Sequence, residues 1–151
     1  MSFPDVADLY QEVILEHGRR PRHAGRPARH DASARGDNPM CGDRVEVFLS
    51  YTPDGRIADA RFDARGCAIS IASADLMAEA VTGQTPQTTR ELFSRFADMA
   101  RTGACPDGDA TMELLRPLAG VHAYPSRVKC ATLPWHALAA ALDGRGQATS
   151  E

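Results

Sequence analysis

An α+β fold, with helices laid over one face of a small antiparallel sheet, follows from three features of the 151-residue sequence. Apolar and charged residues alternate only between residues 44 and 65, helical periodicity fills the chain beyond that stretch, and a turn at residues 52–56 joins the two alternating runs into a hairpin. Strands early and helices late is the order of an α+β domain, not of alternating βα units.

Each element has its own justification. Residues 5–17 place Val6, Leu9, Tyr10, Val13 and Ile14 at helical spacing, and Gly18 stops that helix. The stretch "GRRPRHAGRPARH" carries two prolines and five arginines and cannot form a regular element. Val45, Val47, Leu49 and Tyr51 then alternate as in a half-buried strand, "TPDGR" is turn chemistry, and Ala58, Ala60, Phe62 and Ala64 alternate against Asp59, Arg61, Asp63 and Arg65. A helix runs from Ser70 as its cap to Gly83. The next opens on a Thr88–Glu91 capping box and closes at Gly103. "DATMELLRPLAG" predicts a short helix and "SRVKCATLPWHALAAALDG" a long final one, with Trp135, Leu138 and Leu142 as its core stripe. Pro134 inside that helix has no N–H for the Cys130 carbonyl. One domain is expected over residues 1–143, and residues 144–151 are expected to be a disordered tail.

Composition narrows the function classes. A net charge of −3 argues against a general nucleic-acid binder, and the arginine-rich loop lacks the interleaved aromatics of a nucleic-acid patch. The first residues hold no secretory signal, and no apolar run approaches the ~18 residues of a membrane span. A cytoplasmic chain is the expectation. Cys41, Cys67, Cys105 and Cys130 are too few and too unevenly spaced for a disulfide scaffold, so these thiols are expected to be reduced, metal-bound or catalytic. His17, His23 and His30 are expected to be solvated loop residues.

The hairpin organises the cysteines. Cys41 precedes the first strand and Cys67 follows the second, so Cys41, Asp43 and Cys67 share one end of the sheet. Cys130 joins them if the last helix packs against that end. Gly42 and Gly66 let the backbone bend closely there, and the N-terminus of the helix after Cys67 favours its thiolate. Three thiolates and one carboxylate suit tetrahedral zinc or iron–sulfur chemistry. Cys105, in the loop "GACPDGD", reads as a spare thiol.

"NPMCGD", "GCAISIASADLM" and "RVKCATLPWHAL" resemble the three signature segments of the U-type iron–sulfur assembly proteins, the SufU/IscU family, and "LYQEVILEHGRRPRHAG" is similar to the family's first helix and loop. The resemblance spans about residues 7–142 and implies a three-stranded antiparallel sheet with helices on one side. The IscU branch has a histidine just before its last cysteine and an "LPPVK" segment. Here Lys129 precedes Cys130, "LPPVK" is absent, and residues 103–122 form an extra stretch, so the sequence is identified with the SufU branch.

That resemblance implies zinc on Cys41, Asp43, Cys67 and Cys130. It implies as partner a SufS-type PLP cysteine desulfurase, whose persulfide sulfur is accepted by Cys41 and passed to downstream cluster-assembly proteins. It implies further that a histidine of the desulfurase takes a zinc position and releases Cys41, and that Arg127 supports the site's charge. The chain is then a sulfurtransferase-like partner of the desulfurase rather than a stand-alone enzyme. Two alternatives stay open: a scaffold holding a transient iron–sulfur cluster on the same four residues, and a structural zinc module, which would more often use cysteine and histidine alone.

Overall fold

The computed structural model describes residues 6–105 and 109–149. Residues 106–108 of the "GACPDGD" loop and residues 150–151 of the expected tail lie outside them. The order of elements is α1 (Val6–Arg19), β1 (Ala32–Asn38), β2 (Asp43–Tyr51), β3 (Ile57–Arg65), α2 (Ala68–Val81), α3 (Pro86–Thr102), α4 (Ala110–Leu115), a 3₁₀ segment (Arg116–Ala123), α5 (Pro125–Leu142) and β4 (Gln147–Thr149).

The α+β class stands, but the sheet does not have three antiparallel strands. It has four, in the order β3-β2-β1-β4, with β4 parallel to β1. The β2–β3 hairpin pairs Val45 with Ala64, Val47 with Phe62 and Leu49 with Ala60, as the alternation predicts. The additional strands are poor in strand-forming residues. In β1, "ASARGDN" contains no β-branched or aromatic side chain, and its conformation comes from pairing with β2 from Ala32↔Leu49 to Asn38↔Asp43. Its small residues have a use, because α5 lies directly on them: a Cβ on Gly36 would sit 3.1 Å from Leu133 Cδ1 and 3.3 Å from Ala137 Cβ. The segment expected to be a disordered tail supplies β4, which covers the edge of β1 through Gln147, Ala148 and Thr149.

Val45, Val47, Leu49, Ala60 and Phe62 face the helices and are buried, and α2 and α5 pack on that face. α1 lies beside α2, and α3 lies on α5. Trp135 of α5 is stacked against Phe96 (centroids 4.7 Å apart) and Phe93 (5.9 Å), which bears out its place in the core with Leu138. α3 begins earlier than the capping box suggests: Thr85 is its cap, accepting from Thr88 N at 3.1 Å, and Pro86 occupies the first turn.

The irregular loop after α1 covers the other side of the sheet. Gly25 N and Phe62 N exchange hydrogen bonds with Phe62 O and His23 O, so the loop lies along β3. Arg26 sits 5.1 Å over the Phe48 ring, and the His30 ring meets the same phenyl edge-on at 5.1 Å. Asp75, fully buried in α2, ties the loop down: Oδ1 accepts from Arg22 N and His23 N, both at 2.8 Å, and Oδ2 lies 2.5 Å from His17 Nδ1. His17 and His30 are thus packing residues, not the solvated ones the sequence suggests. Among the described residues no helix is long and apolar enough to cross a membrane.

A candidate metal centre at one end of the sheet

All three elements that meet at the Asp43 end of the sheet carry a thiol. Cys41 stands on the turn between β1 and β2, where Cys41 N and Gly42 N both donate to Asn38 O at 3.2 and 2.9 Å. Asn38 is itself buried, and its Oδ1 accepts from Met40 N at 3.1 Å, which shapes the turn from within. Cys41 is exposed at its tip. Cys67 occupies the N-cap position of α2, without a side-chain cap bond, and Cys130 is buried in α5.

Asp43 opens β2 and is 2% exposed. Its Oδ1 accepts from Cys67 N at 2.9 Å, and its Oδ2 accepts from Ser70 Oγ at 2.7 Å and lies 3.4 Å from Cys67 Sγ. Burial works to raise this carboxyl, but the hydrogen bonds from Ser70, Cys130 and Cys67 outweigh it and hold Asp43 below its usual value. At Cys130 the same forces act the other way. Burial, with Asp43 and Cys67 alongside, pushes that thiol far above its usual value. A coordinating cation would deprotonate such a thiol outright.

The distances agree with that chemistry. The donor atoms of Cys41, Asp43 and Cys130 all lie within 4.8 Å of one another, and they form the group of that kind among the described residues. Cys41 Sγ and Cys130 Sγ are 3.8 Å apart. A disulfide requires ~2.05 Å, whereas two thiolates bound to one zinc at ~2.3 Å in a tetrahedron stand about 3.8 Å apart. The donor set fits a tetrahedral metal. Cys67 falls outside the tight trio, turned toward Asp43 Oδ2 and Ser70 Oγ (3.6 Å). Arg127 and Lys129 are exposed on the first turns of α5, and neither side chain bonds to the four donors. Cys105 packs against the core far along the chain, 4.0 Å from Met112 O.

A family defined as the NifU-like N-terminal domain matches residues 9–131. The chain belongs to this family. Among relatives of this NifU-like chain, the zinc-dependent sulfurtransferase SufU of Bacillus subtilis is 37% identical over 139 residues, covering 91% of this chain and 92% of that protein. The iron–sulfur cluster assembly scaffold protein IscU of Streptococcus pyogenes is 34% identical over 146 residues, covering 94% and 87%. The crystal structure of a nitrogen-fixing NifU-like protein (N-terminal) from Brucella abortus superposes with a TM-score of 0.80 at 26% identity, covering 92% of this chain and 95% of that one.

One part of the NifU-like site escapes a sequence reading, and another gains a sharper role. Ser70 looks like a helix cap, but α2 starts at Ala68 with Cys67 in the capping position, and Ser70 is turned inward to Asp43. Its spacing of one helical turn from a cysteine at a helix start is the signal that was available. Gly66 is the other. Its φ of +142° is open essentially to glycine alone, and a Cβ there would lie 2.0 Å from Asp43 Oδ1. Gly66→Ala is expected to cost about 1–3 kcal/mol, or roughly 3–10 °C of melting temperature for a chain of this size, and to displace Asp43. Thermal denaturation checks this; an unchanged melting curve means that Asp43 is not seated against Gly66.

Proposed function

We propose that this NifU-like chain is a zinc-dependent sulfur acceptor of iron–sulfur cluster assembly. It takes persulfide sulfur onto Cys41 from a SufS-type PLP cysteine desulfurase in the cytoplasm, stimulates that enzyme, and hands the sulfur to downstream assembly proteins. The observation that carries the reading is the pairing of an exposed thiol with a buried one at 3.8 Å, next to a buried carboxylate. The name of the B. subtilis relative supports it.

Cys41, Asp43, Cys67 and Cys130 would hold the zinc, which supplies the positive charge that keeps the thiols deprotonated. The chain's own residues do the rest. The Cys41 thiolate attacks the outer sulfur of the desulfurase persulfide. A new S–S bond forms at Cys41, the old one breaks, and its electron pair leaves with the desulfurase cysteine as a thiolate. Cys41 is suited to this because it projects from a short turn, whereas Cys130 is 1% exposed and Cys67 is held at a strand–helix junction. Asp43, an oxygen donor among sulfurs, is the ligand most readily exchanged.

With three thiolates and a carboxylate against one divalent ion the site carries a formal charge of −2. Arg127, Lys129 and Arg65, all exposed around it, offset that charge and face a docking partner. Of the arginine loop, Arg26 is committed to Phe48 and Glu46. Raising ionic strength from about 0.05 to 0.5 M is expected to weaken the complex with the desulfurase roughly ten-fold. An affinity flat across that range removes the steering role.

The S. pyogenes relative, named a scaffold, favours a second reading in which the same residues hold a nascent cluster. Two measurements on one preparation separate the readings. Sulfur transfer requires that the chain accelerate a SufS-type desulfurase; a scaffold requires a visible chromophore after anaerobic addition of iron and sulfide. A chromophore without acceleration overturns the first reading.

A further inference from the structure

Ser70 connects the two halves of the site. It lies on α2 one turn after Cys67 and is fully buried. Its hydroxyl is 2.7 Å from Asp43 Oδ2, 3.2 Å from the Cys130 carbonyl and 3.6 Å from Cys67 Sγ. A hydroxyl has one proton to donate, and two acceptors compete for it. The Cys130 carbonyl is available because Pro134, four residues on, has no N–H to give it. The Asp43 carboxylate is available because Gly66 leaves room for it.

We propose that Ser70 is a positioning residue for Asp43, setting how tightly this carboxylate holds the metal; the proposal rests on the reading of the cluster as a metal site. With Oδ1 tied to Cys67 N and Oδ2 tied to Ser70, the carboxylate has one orientation before an ion arrives. Each oxygen keeps a second lone pair for a metal. When Asp43 leaves, its oxygen returns to a ready donor. When Asp43 engages a metal through Oδ2, the hydroxyl turns to the Cys130 carbonyl, so its proton keeps an acceptor in either state. The arrangement makes Asp43 an oriented ligand with a cheap way out. Without the hydroxyl the carboxylate must be ordered at the moment of binding, and loss of such partners behind a ligand weakens metal binding by about 10- to 100-fold.

The test is a cycle of four full-length proteins: wild type, Ser70→Ala, Asp43→Ala and the double variant. Zinc affinity is read by competition with a chromophoric chelator, and the ligand-field bands are read after loading with cobalt(II). Alanine is the best helix former and removes one oxygen atom, so α2 is retained; melting of the metal-free proteins verifies this. Ser70→Ala is expected to weaken zinc binding about 10- to 100-fold when Asp43 is present, and by no more than about two-fold when residue 43 is alanine. Its cobalt spectrum is expected to move toward that of Asp43→Ala. Wild-type affinity in Ser70→Ala, or an equal loss in both backgrounds, overturns the proposal and leaves Ser70 as a packing contact between α2 and α5. A wild-type protein that takes up neither zinc nor cobalt overturns the metal reading itself, which the cycle shows before any variant is compared.

Discussion

Protein carrying Cys130→Ser is expected to leave purification without zinc and to melt roughly 10 °C below wild type. Cys130 is 1% exposed, and its sulfur lies 3.8 Å from Cys41, so no other side chain can take its place at the centre of the cluster. A resident ion present at a thousand times its dissociation constant stabilises the folded state by about 4 kcal/mol. For a domain of this length each kcal/mol corresponds to about 2–4 °C. Cys67→Ser is expected to lose the metal as well, because the four donors act together. Cys105→Ser is expected to keep both metal and melting temperature, since that thiol sits against Met112, away from the cluster. Elemental analysis of protein purified without added metal, paired with thermal denaturation, reads all three. Full zinc occupancy in Cys130→Ser would sink the assignment of the site.

Cys41→Ser is expected to abolish acceleration of the desulfurase, returning its turnover to the basal rate, while the fold persists. Cys41 is exposed on its turn, so the substitution removes a nucleophile and a candidate metal ligand without opening a cavity. Activity loss alone does not name the acceptor, because every cysteine of the cluster is a candidate ligand. Mass mapping of the wild-type chain during turnover does: one added sulfur is expected on the peptide containing Cys41. Cys130 is a poor alternative, since it is 1% exposed and a persulfide has no open approach to it. Label on the Cys130 peptide with none on Cys41 would show that sulfur takes another route.

The fold was legible where periodicity carried it. Val45, Val47 and Leu49 against Ala60 and Phe62 specify the hairpin and its register, and the hairpin places Cys41, Asp43 and Cys67 at one end of the sheet. β1 and β4 were not legible. "ASARGDN" has no strand-like composition, and its extended form is imposed by β2 on one side and by the small footprint required under Leu133 and Ala137 on the other. β4 is three residues that gain order only by pairing with β1. Within the site, the hairpin brings Cys41, Asp43 and Cys67 to one end of the sheet by residue type and spacing, whereas Cys130 as a fourth candidate ligand came from the family resemblance. Ser70 could not be read as part of the site, because a serine near a helix start has a cap as its ordinary explanation. The Pro134 irregularity was visible in the sequence, but its outcome, a carbonyl met by a hydroxyl from another helix, is a tertiary fact.

The turn from Asn38 to Asp43 has a kinetic consequence. Cys67 and Cys130 ride on helices pressed against the sheet, so movement of a donor toward a partner falls to the few residues around Cys41, held by two backbone bonds to Asn38 O. Segments of that size rearrange in nanoseconds to microseconds. Enzyme turnovers are commonly about 1–10³ per second. On the proposed reading, the backbone motion that swings Cys41 outward is therefore thousands of times faster than a catalytic cycle and sets no limit on sulfur delivery.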